Sequence, residues 1–270
     1  MKSSEAPATV SRVSAGPAGV ATPEQIREVR RLVDGARRIV VLTGAGISTD
    51  SGIPDFRGPQ GVWTKDPKAE RTSDIAFYVA DPEVRALAWQ GRLHHPVWEA
   101  APNAGHRALV GLERRGSLHL LVTQNIDGLH QQAGSDPAGV VEVHGTVHRV
   151  VCLQCDTRWP MAHALDRVCA GEVDPSCEVC GGILKSDTIS FGQSLVEADL
   201  ERAFRAAGEA DLLLAVGSTL TVYPIAALPE LAAAGGAPVV VVNGSPTQYD
   251  DRADAVLRGP ISEILPALVG

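Results

Sequence analysis

Apolar residues recur along this chain with two kinds of spacing. Between Pro23 and Gly35, Ile26, Val29, Leu32 and Val33 fall on one side of a helix. Thr22 stands before them as an N-cap, with Pro23 in the first helical position. Short continuous apolar runs, rich in Val and Leu, occupy 38–43, 118–123, 140–143, 211–216 and 239–242. Such runs suit strands buried on both faces, as in a parallel sheet. Helical spacing returns between them. It covers 75–98 (broken at Pro82 and Pro96), 103–115 (Ala108, Leu109 and Leu112 inward), 196–208 (Leu200 and Phe204 inward), 225–234 and 261–268. Strands alternating with helices predict an α/β fold built on a doubly wound parallel sheet.

Polar or glycine-rich segments stand at the strand ends: 44–48, 124–127, 217–219 and 243–245. In a parallel sheet they share the carboxyl edge, where ligands bind. Gly44-Ala45-Gly46 ends the first strand, and Ser48 to Ser51 offer caps for a new helix. Glycines there admit a pyrophosphate, and a helix N-terminus adds unpaired N–H groups. The dinucleotide fingerprint departs in two ways. Thr49 stands where a third glycine belongs, and Trp63 to Lys68 stand where an acidic residue at a strand end is wanted, about twenty residues on. No Gly-Lys-Ser/Thr follows, so the turn is not a P-loop. The stretch 54–61 reads as a loop.

Asp55, Gln124, Asn125, Asp127 and His144 complete the polar set. A neutral histidine at a strand end can act as a general base near neutral pH. The run 141–143 leads into His144 and Gly145 leaves it accessible; His148 lies on the same approach and competes for the role. Asn125 and Asp127 suit ribose hydroxyls or a water, and equally suit capping a turn.

All five cysteines lie between 152 and 180. Cys152-x2-Cys155 and Cys177-x2-Cys180, with twenty-one residues between the knuckles, can present four thiolates to one zinc. Four protein ligands close the coordination shell, so the metal is structural. Cys169 has no place in this set. A nucleic-acid ribbon would need a basic surface, but Arg158 and Arg167 face Asp156, Asp166, Glu172 and Asp174 between the knuckles.

Composition narrows the classes further. The 270 residues are 44% hydrophobic with a net charge of −8, which suits a globule with a full core and disfavours a nucleic-acid partner. No apolar run approaches membrane-span length. Residues 1–22 lack the apolar core of a secretory signal and read as a flexible tail, with a cytoplasmic location in which cysteines stay reduced. Lysine occurs only at Lys2, Lys65, Lys68 and Lys185 against twenty arginines, a bias of GC-rich coding that points to a bacterium.

Taken in order, Gly44-Ala45-Gly46-Ile47-Ser48, Gly52-Ile53-Pro54-Asp55-Phe56-Arg57, Thr123-Gln124-Asn125-Ile126-Asp127, His144-Gly145, the paired knuckles, Phe191-Gly192, Gly217-Ser218-Thr219-Leu220 and Val242-Asn243 resemble the motifs of the sirtuin family. The resemblance spans about residues 39–268. It implies a Rossmann-like domain (23–148 and 188–270, with a helical and loop insertion at about 58–100) carrying a small inserted zinc-binding module (149–187). It implies NAD as co-substrate, one structural zinc per chain, and acyl-lysine proteins or peptides as partners.

By the same resemblance, Gly44, Ala45, Gly46 and Ser48 hold the pyrophosphate. Asp55, Phe56, Arg57 and Trp63 belong to the loop over the nicotinamide ribose. Gln124, Asn125, Ile126 and Asp127 line the nicotinamide pocket; Gly217, Ser218, Thr219, Asn243, Gly244, Ser245 and Ile261 meet the adenosine half. His144 and Asn125 are the catalytic pair. Ile189, Phe191 and Gly192 line the acyl-lysine path, where a peptide adds as a strand. The implied reaction is NAD-dependent deacylation, giving nicotinamide, free lysine and O-acyl-ADP-ribose. A mono-ADP-ribosyltransferase would use the same cofactor site with a different acceptor.

Overall fold

The computed structural model describes residues 19–55 and 71–270. The expected cofactor residues Phe56, Arg57 and Trp63, and most of the expected tail, lie outside the described residues. Helix α1 (Pro23–Gly35) leads into β1 (Ile39–Thr43). Two single 3-10 turns, Ala45–Ile47 and Thr49–Ser51, come next. The described chain resumes with α2 (Ile75–Ala80), α3 (Pro82–Leu93), α4 (Ala104–Arg114), β2 (Leu118–Thr123), α5 (Leu129–Ala133) and β3 (Val140–Glu142). Then come β4 (Gly145–Cys152), β5 (Arg158–Pro160), α6 (Met161–Cys169) and β6 (Leu184–Thr188). The chain ends with α7 (Glu197–Glu209), β7 (Leu212–Val216), α8 (Leu228–Ala234), β8 (Val239–Val242), β9 (Ala255–Leu257) and α9 (Ile261–Val269).

Local chemistry sets these boundaries. Thr22 and Gln25 cap α1 reciprocally, Thr22 N–H to Gln25 Oε1 at 2.8 Å and Gln25 N–H to Thr22 Oγ1 at 3.2 Å. Val29 and Val33, one turn apart, are fully buried, worth about 1.5–3 kcal/mol each as an upper bound. The chain is anchored before α1, because Ala21 N–H donates to Arg258 O at 2.7 Å. Asp74, Asp81 and Asn103 cap α2, α3 and α4 with their side chains.

The large sheet runs in the order β3-β2-β1-β7-β8-β9, with every pairing parallel. The chain winds outward from β1 on one side, then restarts beside β1 with β7. Alternate residues of β1 feed the two faces. Val40 and Leu42 join a core with α7 and α8, while Ile39 and Val41 join one with α1, α4 and α9. In-register pairing sets Thr43 beside Thr123 and Val216. The segments that begin at Gly44, Gln124, Gly217 and Asn243 therefore leave one edge of the sheet together.

Between β3 and α7 the chain builds a second, antiparallel sheet in the order β5-β4-β6. Its first and last residues, Gly145 and Thr188, pair with each other. Gly145 has φ +72°, and a Cβ there would fall 2.2 Å from Asp187 O, so the junction requires glycine. The core of this sheet holds Val150, Cys152, Met161, Ala164, Val168, Cys177 and Leu184, together with Trp89 from α3. Helix α3 thus packs on the small sheet although it lies far from it in sequence. No helix among the described residues is long and apolar enough to cross a membrane.

Candidate active site

The glycine turn departs from its expected form. Ser48 to Ser51 do not open an α-helix; both short segments are 3-10 turns. The N–H groups of Gly44, Gly46, Ile47 and Ser48 are spent on the carbonyls of Val216, Gly217, Gly44 and Ala45. The glycines have another steric reason. A Cβ on Gly44 would lie 2.8 Å from Gly217 O, and one on Gly46 would lie 2.8 Å from Gly217 Cα. Gly217 itself has φ +64°, and its Cβ would meet Ile47 N at 2.4 Å. Two backbone turns, from β1 and β7, press directly on each other at the point where the winding reverses.

A buried polar chain fixes the next layer. Asn125 Nδ2 donates to Gly44 O at 3.2 Å and to Ser48 Oγ at 3.1 Å. Ser48 Oγ–H donates to Asp127 Oδ2 at 2.7 Å, and Leu129 N–H donates to Oδ1 at 3.0 Å. Asn103 Nδ2 reaches Ile47 O at 2.7 Å and Ser51 Oγ at 3.0 Å. These bonds tie the turn after β1 to the turn after β2 and to the start of α4. Beneath them His106 and His130 are buried with ring centroids 5.0 Å apart. Burial pushes His106 down to about 4 and His130 down to about 3, so both are neutral.

His144 sits at the end of β3. Its Nδ1 lies 2.9 Å from Gln124 O. A carbonyl only accepts, so Nδ1 carries the proton of the neutral ring and Nε2 keeps a free lone pair. Burial lowers its pKa below the ordinary value, against a smaller opposing effect of the Gln124 carbonyl. A neutral imidazole with a bare Nε2 is the form a general base needs. The competitor His148 has Nε2 2.7 Å from Asp127 O and its ring edge-on to Trp98, and it is not among the residues that line the cleft described next. His95, which the sequence patterns did not single out, is also lowered by burial. Its Nδ1 accepts from Val97 N–H at 3.1 Å, so its neutral Nε2 is a donor, not a base.

These elements border one cleft of about 1380 Å³. Its wall includes Gly44, Ala45, Gly46, Ser48, Asp55, Gln124, Asn125, Ile126, Asp127, His144 and Ile189. Phe191, Gly192, Gly217, Ser218, Thr219, Asn243, Gly244, Ser245 and Ile261 complete the expected set. Every expected cofactor and substrate residue within the described chain is therefore brought to one cavity. Gln124 Nε2 donates to Ser218 Oγ at 2.8 Å across the floor, and Asn243 Nδ2 donates to Ser245 O at 2.8 Å. Arg92, His95, Val222 and Tyr223 also line it, without any motif having marked them. The volume exceeds the roughly 300–1,000 Å³ of ordinary ligand pockets, leaving room for a dinucleotide and part of an acceptor. Phe191 already spends its backbone, N–H to Ser73 O at 2.8 Å and C=O to Ile75 N–H at 3.0 Å. An added strand must use other groups.

The four cysteine sulfurs all lie within 4.8 Å of one another. Cys152 and Cys180 are 3.5 Å apart, and Cys155 and Cys177 are 3.6 Å apart. That is too far for a disulfide bond and close to the roughly 3.8 Å between thiolates around a tetrahedral zinc at about 2.3 Å. Gly182 leaves the room, since a Cβ there would lie 2.9 Å from Cys152 Sγ. The residues fit zinc. Cys169 closes α6 and is outside the cluster.

A sheet whose winding reverses between β1 and β7, with glycine turns meeting at that reversal, defines an α/β protein of the dinucleotide-binding class. Comparison with known proteins narrows the class. The Sir2 family pattern matches residues 44–224. The NAD-dependent protein deacetylase 2 of Streptomyces coelicolor is 48% identical over 231 residues, 86% of this chain and 96% of that protein. The NAD-dependent protein deacetylase of Chromobacterium violaceum is 42% identical over 244 residues, 90% of this chain and 96% of its own. Among solved structures, a Sir2 protein with a deacetylated p53 peptide and 3′-O-acetyl ADP ribose superposes with a TM-score of 0.84 at 34% identity, covering 90% of this chain and 96% of that one. The chain belongs to the Sir2 family.

Proposed function

We propose that this chain is an NAD-dependent protein-lysine deacetylase in which His144 is the general base. The observation that carries the reading is the His144 tautomer, a neutral ring with Nδ1 held on Gln124 O and Nε2 bare, in the same cleft as the two glycine turns. NAD, when bound, would supply an electrophilic ribose carbon with nicotinamide as its leaving group.

The chain's own residues do the rest. Gly44, Ala45, Gly46, Ser48, Gly217, Ser218, Thr219, Asn243, Gly244, Ser245 and Ile261 hold the dinucleotide along the sheet edge. Gln124, Asn125, Ile126, Asp127 and Asp55 shape the nicotinamide and ribose end. Asp127, locked by Ser48 and Leu129, keeps a fixed negative group beside that end. His144 Nε2 removes a proton from a ribose hydroxyl. Ile189, Phe191 and Gly192 guide the acyl-lysine side chain from the mouth of the cleft. Cys152, Cys155, Cys177 and Cys180 hold one structural zinc. The location we propose is the cytoplasm, where such cysteines stay reduced and available to a metal. The net charge of −8 argues against a nucleic-acid partner.

The test is mass spectrometry of an acetyl-lysine peptide incubated with NAD and protein. Loss of acetyl with formation of O-acetyl-ADP-ribose is expected. Transfer of ADP-ribose to protein without deacetylation would overturn the reading.

A further inference from the structure

Among the described residues Lys185 is the one lysine, and it lies in the core. It belongs to β6, is 1% exposed, and ranks among the largest fully buried side chains. Its ammonium is bonded by oxygens that carry no charge. It donates to Ser186 O at 3.2 Å, to Thr188 O, and to Thr188 Oγ1 at 3.4 Å. Thr188 Oγ1 is also 2.9 Å from Ser186 Oγ, which accepts from Arg92 Nη2 at 3.0 Å. All these contacts gather at the last residues of an edge strand.

Beyond that strand end the chain becomes the substrate wall. Ile189 N–H donates to His144 O at 2.8 Å, and Phe191 is stapled to Ser73 and Ile75. Ser186, Thr188, Ile189, Ser190 and Phe191 all line the cleft. A buried cation bonded only to neutral oxygens is costly, and apolar residues would fill the same space more cheaply. The position of its three donors gives the reason for its presence.

We infer that Lys185 is a positioning residue for the acyl-lysine substrate: its ammonium pins the end of β6 and so fixes the course of 189–191 along the cleft and beside His144. The inference rests on the function proposed above. Burial, aided by Arg92, pushes Lys185 down to about 7, while Asp187 opposes. Asp187 itself turns to Arg149 of β4 and Arg158 of β5. Tyr78 of α2 donates to Leu184 O at 2.8 Å on the same strand. As pH rises through neutrality the ammonium becomes an amine with two donors in place of three, and the pin loosens. His144 is already neutral there, so the two titrations separate.

The experiment measures the Kd of a fluorescent acetyl-lysine peptide without other titrating groups, from about pH 6 to about pH 9, with steady-state deacetylation alongside. For the wild type, Kd should weaken about tenfold across that range, with kcat and the KM for NAD changing little. Lys185→Met should bind the peptide about tenfold more weakly at the acid end and show no pH dependence. A folded Lys185→Met with wild-type peptide affinity overturns the inference. If that variant does not fold, a flat wild-type Kd profile overturns it just as well. Wild-type protein that neither binds nor deacetylates the peptide overturns the proposed function instead.

Discussion

At the scale of single residues, the site is defined by which nitrogen carries a proton. His144→Ala should lower turnover at least about 100-fold with an unchanged melting temperature. Near-normal turnover would remove His144 from the chemistry. Because burial lowers the His144 pKa, the base is intact at neutral pH and is lost as pH falls through a value below 6.5. The rate should therefore fall on the acid side with a midpoint below that of free histidine, and a midpoint above it would contradict the environment described. The sequence made His144 and His148 competing candidates, since both follow the same short strand. What separates them is that His144 lines the cleft and His148 does not, while their acceptors, Gln124 O and Asp127 O, are backbone groups that no residue pattern marks. His95 and Arg92 were invisible for a similar reason: they sit at the end of α3 and reach the cleft only through packing of that helix on the small sheet. Asn103 and His106 had a faint signal, a cap residue with a partner three positions on, but that pattern announces a helix start and is silent about the turn it braces.

At the scale of elements, the glycine turns matter as a packed pair. Gly217→Ala should cost about 1–3 kcal/mol in denaturant unfolding, because its Cβ would strike Ile47 N and its φ is positive. It should also weaken NAD binding, measured by calorimetry. An unchanged stability would mean that the two turns can separate freely. Cys177→Ser should lose bound zinc, seen as a fall from one metal per chain by atomic absorption, with a lower melting temperature; full metal retention would contradict the four-sulfur site. The five apolar strands were legible as continuous apolar runs, and the long amphipathic helices by their strong periodicity. The small sheet was not, since β5 spans only Arg158–Pro160 and β4 mixes buried valines with exposed His148 and Arg149. The three-residue β9 was not read either. The expected helix capped at Ser48 to Ser51 failed because Gly52, with φ +84°, ends the second 3-10 turn in the left-handed region.

At the scale of the whole molecule, acid is the weak point. His106 and His130 stay neutral in the fold while the unfolded chain takes up protons near 6.5. Their lowered pKa values make stability fully present above that value, and it is lost as pH falls toward 4. At about pH 5 each histidine should cost about 2 kcal/mol. Melting temperature should drop over that interval, and His106→Gln should flatten the slope; an identical slope would assign the loss elsewhere. The overall winding was legible because alternating strands and helices leave few topologies. The pairing of Gly145 with Thr188 was not, because it joins positions forty-three residues apart. The small sheet leaves and re-enters the large one at two touching points, so together with the α3 face that completes its core it forms a cassette between fixed ends. Acceptor recognition can then diverge, by recombination or by grafting 75–93 and 145–192 together from a relative, while the nucleotide half keeps its strand order and its chemistry.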